Sequence, residues 1–396
     1  MNLISITDAL QAVVSNIIQG AVEKVSLKNA SNGYLAHDVI APINLPSFNN
    51  SAMDGWVFRF EDYENEQRTF IQTKEVKAGD EIPENIDEGC CYRIFTGAPV
   101  PENGTLVIMQ ENIQTVGSSV SVKEEGASFF KNIRKTGEQI MSGEVALKKG
   151  TQLSPAAIGY MASLGVSRLS VTEQPKVTIL TTGNELVEPG NALESGQIYE
   201  SNSAALVAGF KEMGITSAAV NKRPDEYSAV FNQINNQIKE NDFLVLTGGI
   251  SVGDYDFVSK VLNELGVKTI FYKVNQKPGK PFFFGKIGNC SVFALPGNPA
   301  AAMSCFYYYI RPSIRKFMGA LNPFNDCVEL PLKENFTVKG SRDLLLKSRI
   351  HQKEVEILDG QSSNMMHTFA LANSLTQIEA NQVALKKGDL VKVFPF

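Results

Sequence analysis

From Lys176 onward the chain alternates short, continuously apolar runs with helical stretches, and this alternation constrains the fold more than any other feature of its 396 residues. Val177 to Thr181, Ile215 to Val220 and Phe243 to Thr247 read as buried strands, separated by helices that end near Met213 and Ile238. A helix around Val258 to Leu265, strands near Ile270 and Phe283, a strand Val292 to Leu295 and a long helix after Pro299 complete the run. Pro312 is expected to kink or end that helix. Strand–helix units in series build a doubly wound, mostly parallel sheet with helices on both faces.

The flanking segments have other periodicities. Thr7 can cap a helix whose apolar positions Leu10, Val13, Val14, Ile17 and Ile18 fall on one face, ending near Gly20. From about Lys28 to Gly143 short alternating runs such as Tyr92 to Phe95 and Leu106 to Met109 are separated by Gly, Pro and Asn, which predicts a β-rich insertion. Ser154-Pro155 opens another helix that closes at Gly165. Beyond Pro323 only strand-like pieces follow: Leu344 to Ile350, Val355 to Leu358 and Leu390 to Phe394. The resulting parse is a discontinuous helical piece (1–27 and 144–174), an inserted β-rich domain (28–143), the doubly wound α/β domain (175–322) and a small C-terminal β-barrel or sandwich (323–396). The phrase Val145 to Gly150 recurs as Val383 to Gly388 with no third copy, so it reads as a reused strand-to-turn phrase rather than a repeat.

Composition excludes several functions. With 37 Lys+Arg against 42 Asp+Glu, a net charge of −5 and no block of like charge, neither nucleic acid nor an anionic membrane is the expected partner. No apolar run approaches a membrane span, and no charged-then-apolar leader precedes Ile6. Five cysteines without a CxxC pair fit reduced thiols in a cytoplasmic protein.

Four glycine turns follow strands of the doubly wound region: Thr181 to Glu185, Thr247 to Gly253, Lys277 to Lys280 and Leu295 to Pro299. Ligands of such sheets sit beyond the carboxyl ends of the strands, where glycines let backbone N–H groups approach oxyanions. Gly183, Gly248, Gly249, Ser251, Pro296, Gly297 and Asn298 are therefore candidate substrate contacts, with Asn298 and Pro299 in helix-start positions. Singly each motif reads as a tight turn; four in one sheet favour a site. Lys277 and Lys280 flank the Pro278-Gly279 bend, with Lys273 just before, and suit a small oxyanion or phosphate. Glu185, Asp225, Asp254 and Asp256 occupy the same turns and would repel a phosphate unless a divalent cation intervened, which implies magnesium. For Asp225 a helix N-terminal acid is an equal reading. The polar loop Pro46 to Trp56 carries Asp54 and the only tryptophan, and reads either as a ligand contact or as a structural turn. His37, His351 and His367 lack a Ser/Asp or Cys constellation, which disfavours Ser–His hydrolysis.

Asn50 to Trp56, Phe95 to Pro99, Thr182 to Leu186, Gly248 to Gly253, Lys277 to Pro281 and Leu295 to Pro299 occur in an order that resembles the MoeA-type molybdopterin molybdenumtransferases, which include the E domain of gephyrin. The resemblance spans essentially the whole chain. It implies a doubly wound domain like that of molybdopterin adenylyltransferases, and a reaction joining molybdate to the dithiolene of molybdopterin adenylate with magnesium and release of AMP. It further implies a homodimer, with an adenylyltransferase as a possible further partner. Position by position it carries functional roles to Asp54, Thr96, Glu185, Asp225, Asp256, Lys273 and Lys277, magnesium to Asp54, Glu185, Asp225 and Asp256, and molybdate to Lys280 and Arg342, with Ser363 and Thr368 as alternatives for a C-terminal hydroxyl. Gln139 and Thr105 stand where the pattern prefers Asp, and Glu200 where it has Asp. A non-catalytic gephyrin-like scaffold and a molybdopterin adenylyltransferase are the rival functions.

Overall fold

The computed structural model describes all residues except 1–2, 224–225, 250–256, 325–326, 339, 381 and 383, and the side chains of Arg223 and Phe257. Ser251, Asp225, Asp254 and Asp256 thus lie outside the described residues. The doubly wound sheet is six-stranded. Four neighbouring strands, Ala219–Arg223, Val177–Thr182, Phe243–Thr247 and Cys290–Leu295, run parallel; Phe283–Ile287 and Lys268–Tyr272 then add antiparallel pairings at one edge. Phe243–Thr247 is buried at every position, as a strand covered by helices on both faces requires. Val230, Ile234, Val258 and Leu262 pack on one face. The other face joins Phe210, Phe306 and Tyr309 to Ile6 and Val13 of the first helix and to Leu345 and Leu375 of the C-terminal region, in one continuous core. Phe210 is fully buried against the edge of Phe306, and Phe210→Ala would cost about 3–5 kcal/mol.

Four local expectations are corrected. The first helix, Ile6–Ser15, is capped by Ser5, whose hydroxyl accepts from the Asp8 N–H, so Thr7 lies inside it and it stops short of Gly20. The strand expected at Ile215 to Val220 forms at Ala219–Arg223 instead. Pro312 does not end the last helix. A π turn, Phe306–Ile310, joins helices Pro299–Cys305 and Arg311–Phe317 into one continuous helical run, and this wider turn just ahead of Pro312 accommodates its missing N–H. Trp56 is core rather than loop: it sits on strand Gly55–Phe58, 9% exposed, with its indole N–H on Gln72 Oε1 at 2.9 Å and the Arg93 guanidinium over its ring.

Residues 55–122 form a six-stranded mixed sheet, with Phe58, Phe70 and Ile108 in one core layer and Val57, Ile94 and Val107 in the other. A separate core unites Leu35, Leu153, Met161 and Leu164, and helix Pro155–Ser163 starts at a Ser154 cap. In the C-terminal region, Asp343–His351 pairs with Glu354–Ile357 and Ser374–Ile378, the latter with Leu390–Pro395, and that with Val328–Pro331; Leu332 then bridges Val355. One further strand decides where the site lies. Gln276–Lys277, a two-residue piece of the doubly wound segment, leaves its own sheet and pairs in parallel with Asp343 and Leu344.

Candidate functional site

That pairing brings Lys277 and Arg342 to one place. Gln276 is the register partner of Asp343, so Lys277 and Arg342 flank a fixed backbone ladder. Asp343 locks its side: its buried carboxylate accepts from the Ala380 N–H at 2.9 Å and the Ile6 N–H at 3.4 Å. Gln276 locks the other. Its buried amide donates to the Pro278 and Gly279 carbonyls at 3.1 and 3.2 Å and accepts from the Tyr309 hydroxyl, which holds the turn that carries Lys277 and Lys280. Gly279 adopts φ +90, and an added Cβ would meet the Gln276 amide at 2.7 Å, so glycine is required there.

Two cavities adjoin at the carboxyl ends of the parallel strands and share Pro281, Pro296 and Asn298. The first, of about 570 Å³, is lined by Lys277, Lys280, Arg342, Gln361, Ser362 and Ser363 among others. Three cations without an intervening carboxylate make it a seat for a small anion. Asn298 holds the helix-start position expected of it, yet its side chain does not cap the helix; its amide donates to Ser363 Oγ at 2.8 Å, and the Ser363 carbonyl accepts the Ala301 N–H. Of the two hydroxyl candidates, Ser363 lines this cavity. Thr368 is buried, donates to the Asp359 carbonyl at 3.2 Å and does not line it.

The second cavity, of about 400 Å³, is lined by Thr182, Glu185, Asn202, Thr247, Gly248, Gly249 and Gly297 among others. Gly248 has φ +87, and a Cβ there would lie 2.3 Å from the Thr182 carbonyl oxygen, so only glycine lets the two turns meet. Two buried oxygens at this cavity, Thr182 Oγ1 and Asn202 Oδ1, have no hydrogen-bond partner among the described residues. Buried polar atoms are ordinarily satisfied, so both oxygens are open to water or to a ligand in the cleft. Each cavity falls in the size range of small-molecule sites.

Asp54 and Thr96 form an exposed pair elsewhere: the Thr96 N–H and hydroxyl both donate to Asp54 Oδ1 at 2.8 Å. The backbone bond first, then the hydroxyl, hold the Asp54 carboxyl below the usual carboxylate range. Neither residue, nor any other from the β-rich insertion, lines either cavity. Lys273 also stays outside them, in a left-handed conformation (φ +73) with its ammonium over the Tyr272 ring. Among the described residues no group of three His, Cys, Asp or Glu could hold a metal. Of the positions that differ from the resembling pattern, Thr105 and Glu200 have local structural roles and the Gln139 side chain has none that the structure shows. The Thr105 hydroxyl accepts the Phe60 N–H at a helix start, the Glu200 carboxylate accepts the Ser203 N–H at another, and Gln139 is exposed. A roomier hollow of about 660 Å³ lies at the opposite end of the sheet, near Lys176, Asp242 and Asn289, away from every glycine turn singled out above.

Comparison with known proteins settles the family. Residues 4–165 match the MoeA N-terminal region (domain I and II), and residues 178–316 match the probable molybdopterin binding domain. The molybdopterin molybdenumtransferase of Haemophilus influenzae is 34% identical over 390 residues, covering 94% of each chain. This chain belongs to the molybdopterin molybdenumtransferases. The Bacillus subtilis member is 29% identical, covering 98% of this chain and 93% of its own. The molybdopterin biosynthesis MoeA protein from Pyrococcus horikoshii OT3 superposes with a TM-score of 0.84 at 26% identity, with both chains fully covered. The chain is accordingly an enzyme of molybdenum-cofactor biosynthesis, with the mixed α/β architecture of its relatives. Among the described residues no helix is long and apolar enough to cross a membrane. Sequence reasoning missed Gln276, Gln361, Ser362 and Asn202 at the site. For Asn202 a signal existed, an amide opening the helix that follows a glycine turn.

Proposed function

We propose that the chain inserts molybdate into the dithiolene of adenylylated molybdopterin and releases AMP, acting in the cytoplasm as a homodimer. The observation that carries this reading is the junction of a tricationic cavity with a glycine-walled cleft, sharing Pro281, Pro296 and Asn298. Molybdate is a dianion, and Lys277, Lys280 and Arg342 offer it charge-assisted hydrogen bonds while Ser363 offers a hydroxyl. Among the described residues no cysteine lines this cavity, Cys305 being buried behind Gly279, which suits a reaction in which the substrate brings the sulfur ligands. In the adjoining cleft, backbone N–H groups at Gly248 and Gly249 can approach phosphate oxygens closely.

Magnesium fits the hard oxygen chemistry of this cleft, where Glu185 supplies a carboxylate and Thr182 a buried oxygen without a partner among the described residues. Asp54, Glu185, Asp225 and Asp256 would hold it, and it would supply charge neutralisation at the departing phosphate. Asp54 and Thr96 line neither cavity of their own chain, so a second copy is the economical source of them, and this supports the homodimer. An adenylyltransferase that makes the adenylate would be the natural further partner. The test is incubation of the purified protein with molybdopterin adenylate, molybdate and Mg²⁺. Molybdate-dependent AMP release supports the reading, and intact adenylate after many enzyme equivalents of time refutes it in favour of a scaffold.

A further inference from the structure

Lys347 is a lysine in the wrong place for an ordinary surface charge. It lies on strand Asp343–His351, five residues beyond Arg342, and is 1% exposed. Its ammonium donates to three carbonyls: Gly360 at 2.7 Å, Ser362 at 3.1 Å and Met365 at 3.2 Å. All three donors of the ammonium are thereby used. The backbone of Lys347 adds two more ties to the same loop: its N–H donates to Gln361 Oε1 at 2.9 Å, and its carbonyl accepts from Gln361 Nε2 at 2.8 Å. The loop held in this way is the one that supplies Gln361, Ser362 and Ser363 to the tricationic cavity, which Lys347 itself does not line.

A buried cation held by neutral carbonyls is costly to desolvate, so its retention asks for a reason. Burial pulls the Lys347 ammonium below the ordinary lysine value. Peptide geometry offers the reason. In a planar trans peptide the C=O and the following N–H point in opposite directions. With the Ser362 carbonyl aimed at the ammonium, the Ser363 N–H is turned away from Lys347, and Ser363 is a lining residue of the cavity. Ser363 is then fixed from two sides, by Asn298 on its hydroxyl and by the clamped peptide on its backbone.

We infer that Lys347 is a positioning residue for the anion seat, whose buried ammonium orients the 360–365 loop so that the Ser363 hydroxyl and N–H face the bound oxyanion. This rests on the reading of that cavity as the molybdate seat. A neutral residue of the same length would take the ammonium away from three carbonyls, leaving the Ser362 carbonyl only the Met365 N–H, and would free the loop to turn its peptides and weaken molybdate binding without touching Lys277, Lys280 or Arg342.

The test uses Lys347→Met and Lys347→Ala in the full chain, with molybdate affinity read by calorimetry and amide hydrogen exchange read over residues 360–366. The Met variant should bind molybdate roughly tenfold more weakly, the loss expected of a charge-assisted contact, with faster exchange confined to the loop. In turnover KM for molybdate should rise while kcat at saturation is largely retained. n-Propylammonium matches the atoms removed in the Ala variant and should restore both affinity and loop protection. A folded Met variant with wild-type molybdate affinity overturns the inference. If the Met variant does not fold, the Ala variant in propylammonium decides: restored binding supports the inference, while folding without binding, or no folding even with the amine, assigns Lys347 to the scaffold and overturns it. Wild-type protein that binds no molybdate would instead sink the reading of the cavity. Loop exchange in the Met variant would then still test the clamp, with faster exchange supporting it and unchanged exchange overturning it.

Discussion

Thr96 gives both its backbone N–H and its hydroxyl to the same oxygen of Asp54, at 2.8 Å each. Two donors on one oxygen favour the charged carboxylate and leave Oδ2 outside the pair. The folded pKa is therefore the lowered one, and its small contribution to stability is present above the ordinary carboxylate range and lost as pH falls through the folded value. Thr96→Val removes the hydroxyl bond and keeps the larger backbone bond, so the Asp54 pKa should rise part of the way. If ionised Asp54 serves the reaction, the acid limb of the pH–rate profile moves to higher pH in this variant. An unmoved limb, with activity otherwise intact, would separate Asp54 from the chemistry.

The anion seat makes a second expectation. Lys277→Ala, Lys280→Ala and Arg342→Ala should each weaken molybdate use by about 1.5 kcal/mol, roughly tenfold, at the low end for charge-assisted bonds because the groups are partly solvated. The molybdate dependence of AMP release is the measurement. No change in any of the three would move the seat elsewhere.

A third follows from the separation of Asp54 from both cavities. Asp54→Asn and Lys277→Ala damage different halves of a site that two copies would share. Each homodimer should be impaired, and mixing the two proteins under conditions of subunit exchange should restore roughly a quarter of full activity by statistical pairing in dimers. A mixture that stays as poor as its components would argue for a site complete within one chain.

How much of this was legible in the sequence depended on periodicity. Phe243–Thr247 and Leu106–Met109 form at the ends the sequence predicts, because continuous apolar runs bounded by turns leave little choice. The glycine turns and the basic pair were legible as chemistry, and Lys277, Lys280 and Arg342 do line one cavity. Gln276–Lys277 was not legible as a strand, since two residues have no period, although this strand sets the geometry of the seat. Lys347 was hidden for a different reason: a lysine within Leu344 to Ile350 reads as the wet face of a strand, and only tertiary packing buries it. Trp56 failed the opposite way, an aromatic beside a polar loop that turned out to be core. Thr7 and Ser5 both suit an N-cap, and two residues of register decided between them.

The most direct measurement counts products. In a single incubation with limiting molybdopterin adenylate, excess molybdate and Mg²⁺, the account predicts one AMP released for each molybdenum bound to the pterin dithiolene, with both yields falling together in Lys280→Ala at low molybdate and recovering together when molybdate is raised. AMP release at full yield without molybdate, or molybdenum incorporation with the adenylate left intact, would contradict it.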